Sequence, residues 1–241
     1  MKRFYLLILL AVLSISPAYS MHIMEGFLSL KWCMFWSLLT LPFFIYSCFS
    51  VIKVLKTDGK NKLKISFASA FIFILSALRL PSVAGSSTHL CGTTLGVMLL
   101  GPWIMPFIGF VVLLFHALLL GHGGISTIGA NIFSMFVVGP WIAYGIYRLL
   151  SVIRTGNKHW NDFVVFISTF LGSMSVYLVA SFQLATDHHG DAGIFSQAMT
   201  FFAIYSVSQV PLSILEGVFT VSILYILNQN GVKKLTDYEK K

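Results

Sequence analysis

The chain has 241 residues, of which 57% are hydrophobic and only 10% charged, and its formal net charge is +8. A soluble domain averages about 25% charged residues, so too little polar surface is present to cover a water-soluble globule. The basic residues lie between or beside apolar blocks near the length of a bilayer crossing, which points to membrane orientation and away from nucleic acid.

Residues 1–20 read as an export signal. Lys2 and Arg3 form a basic start, Phe4 to Val12 is a short apolar core, and Pro17 breaks the helix. Ala18-Tyr19-Ser20 places small residues at the two positions that a signal peptidase reads. Cleavage after Ser20 leaves 21–241 as a single membrane domain, with Met21 first and His22 second.

The apolar blocks then map the crossings: Trp32 to Ile52, Ile65 to Leu80, Trp103 to Leu120, Asn131 to Leu150 and Phe163 to Leu184. A break is expected near Gly139-Pro140. Ser196 to Leu227 is too long for one plain helix, and Pro211 is expected to divide it into two. The fold class is therefore all-α, a polytopic membrane helical bundle of about seven transmembrane helices after signal removal. An exported amino terminus and an odd number of crossings put the carboxyl terminus in the cytoplasm, as the lysine-rich tail asks. In this map Ser151 to Asn161 falls outside although it carries Arg154 and Lys158. An alternative has an extra short crossing between Gly92 and Gly139 and keeps Ser196 to Leu227 as one long bent element.

A free amine followed by His in position two is a compact chelator. The amine of Met21, the backbone nitrogen of His22 and its imidazole form fused rings around one ion, three nitrogens in a plane. A fourth nitrogen closes a square that suits Ni(II) or Cu(II) and can suit low-spin cobalt. His89, on the same outer side in Ser86-Ser87-Thr88-His89-Leu90-Cys91-Gly92, is the best fourth donor, although a helix-end histidine bonded to carbonyls reads equally simply. Ser87 and Thr88 could orient ligand groups, and Glu25 could neutralise the cation or bond an amide.

The remaining candidates read as structural. His116 and His122 are six apart in HALLLGHGG, which does not put them on one helical face, so packing or loop anchoring is expected. His188 and His189 lie in a polar loop with Asp187 and Asp191 that is hard to bring beside His22. Glu216 sits in the last apolar block, where a carboxylate needs a partner, and Arg79 is one candidate. The odd set of Cys33, Cys48 and Cys91 has no CxxC spacing and reads as small core residues. Gly92 and Gly96 form GxxxG, and the glycines from Gly121 to Gly129 crowd one connection, as tight turns between buried helices would.

The run Met21-His22-Ile23-Met24-Glu25-Gly26-Phe27-Leu28 closely resembles the CbiM/NikM family of cobalt and nickel capture proteins. The resemblance continues through Gly85-Ser86-Ser87-Thr88-His89-Leu90, Leu120-Gly121-His122-Gly123-Gly124-Ile125-Ser126-Thr127, Gly129-Ala130-Asn131-Ile132-Phe133-Ser134-Met135 and Glu216-Gly217. It implies the substrate-capture subunit of an energy-coupling factor (ECF) importer. The ion would be held by the Met21 amine, the backbone and imidazole nitrogens of His22, and His89.

The implied partners are two ATPase subunits (CbiO-like), a coupling membrane subunit (CbiQ-like) and a small auxiliary membrane subunit (CbiN-like). The chain itself lacks a GxxxxGK[ST] sequence. His122, and Thr94 where glycine is common, depart modestly from the family pattern. The expected cargo is Co(II) for cobalamin biosynthesis, with Ni(II) as the alternative, in a bacterial cytoplasmic membrane with the mature amino terminus outside. No catalytic cofactor is expected. A membrane metalloprotease lacks support because HExxH is absent, and a metal sensor would differ by not transporting.

Overall fold

The computed structural model describes residues 19–20, 22–57, 60–82, 86–153 and 158–230. Residues 1–18 of the expected signal and Met21 lie outside the described residues. Seven helices run through the rest: α1 Leu30–Thr57, α2 Lys60–Ala77, α3 Thr93–Leu100, α4 Met105–Leu120, α5 Ile128–Ser151, α6 Lys158–Ala185 and α7 Ile194–Gln229. Five spans are long and apolar enough to cross a membrane: α1, α5, α6, α7, and α4 extended back to Pro102. Large apolar side chains such as Leu38, Phe49, Leu119 and Leu149 are exposed on the outside of the bundle. That is the surface a hydrocarbon solvent calls for.

Two features of the map need correction. Pro211 does not divide the last block, because α7 is continuous over 36 residues. Proline is tolerated inside a membrane helix where neighbouring groups satisfy the freed carbonyl. Between Gly92 and Gly139 lies instead α3, only eight residues long and wholly buried, which at about 12 Å is too short to cross by itself. A 3₁₀ turn over Pro102–Ile104 joins it to α4. The unbroken last helix and the extra short helix follow the alternative map, although α3 is not a full crossing. That map puts the connection between α5 and α6, where Lys158 begins α6, at the same end of the bundle as the lysine-rich α1–α2 turn, and Arg154 lies outside the described residues. The break expected near Gly139-Pro140 is also absent. A π-helical stretch over Phe133–Val138 admits the proline without ending the helix.

At the opposite end three short strands depart from an all-helical reading. β1 Tyr19–Ser20, β2 Leu80–Pro81 and β3 Ser86–Thr88 form one small sheet in the order β1-β3-β2. β3 pairs in parallel with β1 (Tyr19 with Ser86, Ser20 with Ser87) and antiparallel with β2. The sheet holds the chain just ahead of His22 and just ahead of His89. Asp187 at the end of α6 accepts both the backbone N–H and the hydroxyl of Ser29, tying α1 to α6 at this end.

Candidate metal centre

Four imidazoles meet at the sheet end of the bundle. His22 comes from the turn after β1, His89 from the segment between β3 and α3, His116 from the last turn of α4, and His122 from just beyond it. None is more than 1% exposed. His22 is the hub: its ring stacks on His89 with centroids 4.5 Å apart at 19°. It meets His122 edge-on at 4.3 Å and His116 edge-on at 5.3 Å.

The turn that carries His22 is docked by the segment after α4. Ile23 N–H donates to Asn131 Oδ1 at 2.9 Å, and Asn131 Nδ2 donates to the Ile23 carbonyl at 3.1 Å. The carboxamide thus stands in for a neighbouring strand. Thr127 donates its hydroxyl to the same carbonyl. Ser126 N–H donates to the Glu25 carboxylate at 3.1 Å. Gly124 lets the two segments touch: a Cβ there would lie 2.6 Å from Glu25 N.

His89 is bracketed by Tyr177. The phenol oxygen accepts the His89 N–H at 3.1 Å and donates its proton to the His89 carbonyl at 3.0 Å. The next residues are held by Glu216, which accepts N–H groups from Cys91 at 3.0 Å and Gly92 at 2.7 Å and the Ser173 hydroxyl at 3.0 Å. Gly92 has no side chain with which to cap α3, so a carboxylate from α7 serves that helix start from across the bundle. The lone carboxylate of the last block therefore rests on these groups. Arg79, the partner considered from the sequence, is exposed.

Hydrogen bonds fix two of the four tautomers. His89 Nδ1 lies 2.9 Å from the Leu90 carbonyl, which can only accept, so Nδ1 carries the proton and Nε2 keeps its lone pair. His116 Nε2 lies 3.1 Å from the Phe73 carbonyl, so there Nδ1 keeps the lone pair. His89 Nε2, His116 Nδ1 and both nitrogens of His22 and His122 are buried without a hydrogen-bond partner. Native interiors rarely leave polar atoms so. One nitrogen each from His22, His116 and His122 lies within 4.8 Å of the other two.

Burial chiefly sets the charge state. It drives His22 far below the usual histidine range, with the neighbouring His122, His89, His116 and Arg79 adding to the effect. His89 is brought down to about 4 and His122 to about 2, burial again leading. At neutral pH these rings are uncharged, so their nitrogens have no proton to lose before binding a cation. Glu25 is held below its ordinary value by its side-chain and backbone bonds to Ser126.

Of the residues singled out from the sequence, His22 and His89 come together. Glu25 is exposed and serves the docking turn. Ser87 is buried in β3, and Thr88 donates to Ser208 on α7 at 3.0 Å. Cys91 is buried with its sulfur against Ser173. His188 and His189 turn back onto the carbonyls of Leu184 and Ala185, away from the cluster.

His116 and His122 depart from the packing role expected of them. Their spacing of six fails only if the helix continues. Gly121 adopts φ 54°, and the N–H groups of Gly121 and His122 both close onto the His116 carbonyl. That left-handed turn folds His122 back beside His116, and the Gly121-His122-Gly123 run was its available signal. Tyr177 and Asn131 carry no sequence signal that separates them from ordinary helix residues.

Comparisons with known proteins give the family and the fold. The family model for "Cobalt uptake substrate-specific transmembrane region" (CbiM) matches residues 22–232. The chain is 46% identical over 220 residues to the cobalt transport protein CbiM of Carboxydothermus hydrogenoformans, covering 91% of this chain and 88% of that one. It is 43% identical over 236 residues to the protein of the same name from Moorella thermoacetica, covering 96% and 89%. Among solved structures, one titled as a transition metal transporter superposes with TM-score 0.74 at 27% identity, covering 86% of this chain and 92% of that one. A truncated transition metal transporter superposes with TM-score 0.73 at 27% identity, covering 87% and 99%.

Proposed function

We propose, for a chain that belongs to the CbiM family of membrane cobalt-uptake components, that it captures Co(II) at its processed amino terminus and passes it inward as the substrate-binding subunit of an ECF importer. Signal removal after Ser20 creates the Met21 amine. That amine, the deprotonated backbone nitrogen and Nδ1 of His22, and Nε2 of His89 then hold the ion in a plane.

The observation that carries this reading is the His22–His89 pair: two buried rings stacked at 4.5 Å, with His89 fixed in the tautomer that leaves Nε2 free. A backbone amide that loses its proton gives the site one negative charge, which a dication buried among neutral rings needs. Ni(II) fits the same donors, and the names of the relatives favour cobalt.

The chain performs capture and not ATP hydrolysis, which falls to two CbiO-like ATPases joined through a CbiQ-like membrane subunit, with a CbiN-like auxiliary. The cargo supplies cobalamin biosynthesis. The metal centre faces outward across the cytoplasmic membrane, and the end rich in lysine and arginine faces the cytoplasm, which the positive-inside rule supports.

The test inserts two alanines between Ser20 and Met21. The insertion keeps every side chain but makes His22 the fourth residue of the processed chain, too far from the amine for amine and imidazole to close one fused set of four planar nitrogens. Cobalt content and uptake of labelled cobalt by the assembled complex, with processing checked by intact mass, should collapse. Unchanged binding and uptake in the extended protein would refute the terminal chelate. Glu25→Gln should have the smaller effect, since that carboxylate serves the turn.

A further inference from the structure

His116 and His122 have no part in the terminal chelate, yet their nitrogens face the same chamber. His116 Nδ1 and both His122 nitrogens lack hydrogen-bond partners, and neither side chain is more than 1% exposed. One ring nitrogen each from His22, His116 and His122 lies within 4.8 Å of the other two. Two imidazoles on one tetrahedral ion, each at about 2.0–2.1 Å, stand roughly 3.4 Å apart. The rings would close by no more than about 1.4 Å to share a cation. The Phe73 carbonyl already aims the His116 lone pair for that purpose, the arrangement that orients histidine ligands generally.

We propose that His22, His116 and His122 form a second cation position that holds a borderline first-row divalent ion in transit to the terminal chelate. The position consists of three neutral imidazoles, with a water completing a tetrahedral set. It takes an incoming ion without waiting for any group to lose a proton. It also brings no negative charge to a buried dication, so it holds that ion more weakly than a chelate containing a deprotonated amide.

Transfer follows that gradient around His22, which belongs to both positions. The bonds from the ion to His116, His122 and the water break, and bonds to the Met21 amine, the His22 amide nitrogen and His89 Nε2 form. The amide proton, and the amine's proton where present, leave to solvent. No electron moves. The transit role rests on the terminal-chelate reading, whereas the three-imidazole position rests on its own geometry.

The test separates the two on the purified, processed full-length protein, using Co(II) alone as the probe. In the protein extended by two alanines before Met21, the chelate is lost and the three imidazoles remain. That protein should bind one Co(II) at least tenfold more weakly than the parent, with the strong visible bands of a tetrahedral ion. Adding His122→Ala or His116→Gln should abolish those bands, and adding His89→Ala should leave them. The His116→Gln side chain can still donate to the Phe73 carbonyl, which guards against simple misfolding, and melting curves check both variants.

In the protein of natural length, His122→Ala should slow Co(II) loading in stopped flow at least tenfold while the final Kd stays within about threefold. Absence of tetrahedral bands from the extended protein, or their survival in both added variants, overturns the second position. An unchanged loading rate overturns transit. Parent-like affinity in the extended protein sinks the terminal chelate instead, whatever the three imidazoles do.

Discussion

Replacing Glu216 by Gln tests whether the metal loop is held from the far side of the bundle. The carboxylate accepts three hydrogen bonds, two of them from the N–H groups of Cys91 and Gly92 at the start of α3. A carboxamide has one acceptor atom. If its oxygen takes the bonds of Cys91 and Ser173, its NH₂ faces the Gly92 N–H, and the opposite orientation strands Cys91. One buried N–H is left unsatisfied at a cost of about 1–3 kcal/mol, and the surviving bonds lose their charge assistance, for a total of about 3 kcal/mol. For a chain of this size each kcal/mol moves the melting point by about 2–4 °C, so the apparent Tm in detergent should fall by about 6–12 °C. Cys91 is two residues past His89, so the displaced loop should also weaken Co(II) binding, by a factor of about ten for every 1.4 kcal/mol transmitted. Glu216→Ala should be worse on both measures, and Arg79→Gln nearly silent. A Gln variant that melts within 2 °C of the parent (a shift worth at most about 1 kcal/mol) and binds cobalt normally would show that the carboxylate does not hold the loop.

Gly124→Ala should push the amino-terminal turn off its seat, because the added Cβ would lie 2.6 Å from Glu25 N. Cobalt binding by calorimetry should weaken tenfold or more with little change in helicity, and parent affinity would count against the docking. Tyr177→Phe removes both bonds that bracket the His89 backbone. At about 1 kcal/mol each this corresponds to roughly a thirtyfold rise in Kd, and an unchanged Kd would mean that β3 alone positions His89. The cobalt-free protein should lose stability as pH falls below about 6.5, where unfolded histidines take up protons that the buried rings refuse. With His89 at about 4, that ring alone accounts for about 2 kcal/mol at pH 5. A flat apparent Tm between pH 7 and 5 would contradict the buried, neutral state.

The long crossings were legible in the sequence because bilayer thickness imposes a block length that no other constraint mimics. The misreading of Pro211 came from applying a rule learned in water. In the bundle a proline costs α7 one backbone bond while the apolar faces on either side keep the helix straight enough to continue. α3 was hidden for the opposite reason: eight buried residues make too short a block to stand out. His22 and His89 could be paired beforehand because the expected processing would give His22 a chemical role independent of fold. His116 and His122 could not, since their meeting depends on the φ of Gly121. Glu216 was legible as a buried carboxylate in need of partners, but backbone N–H groups leave no trace in side-chain identity.

β1 gives signal removal a second consequence. Tyr19 and Ser20 lie against Ser86 and Ser87, immediately upstream of His89. Cleavage after Ser20 would strip that neighbour away and leave one edge of β3 bare, its N–H and C=O groups turned over to water or to another chain. Precursor and product would then differ in two respects at once: the product would have a terminal amine near His22 that the precursor lacks, and the strand just ahead of His89 would be clasped on one side only. On the proposed processing, a leader of this kind would act as a sheath, and the cut that removed it would both generate the amine donor and loosen the segment that precedes His89.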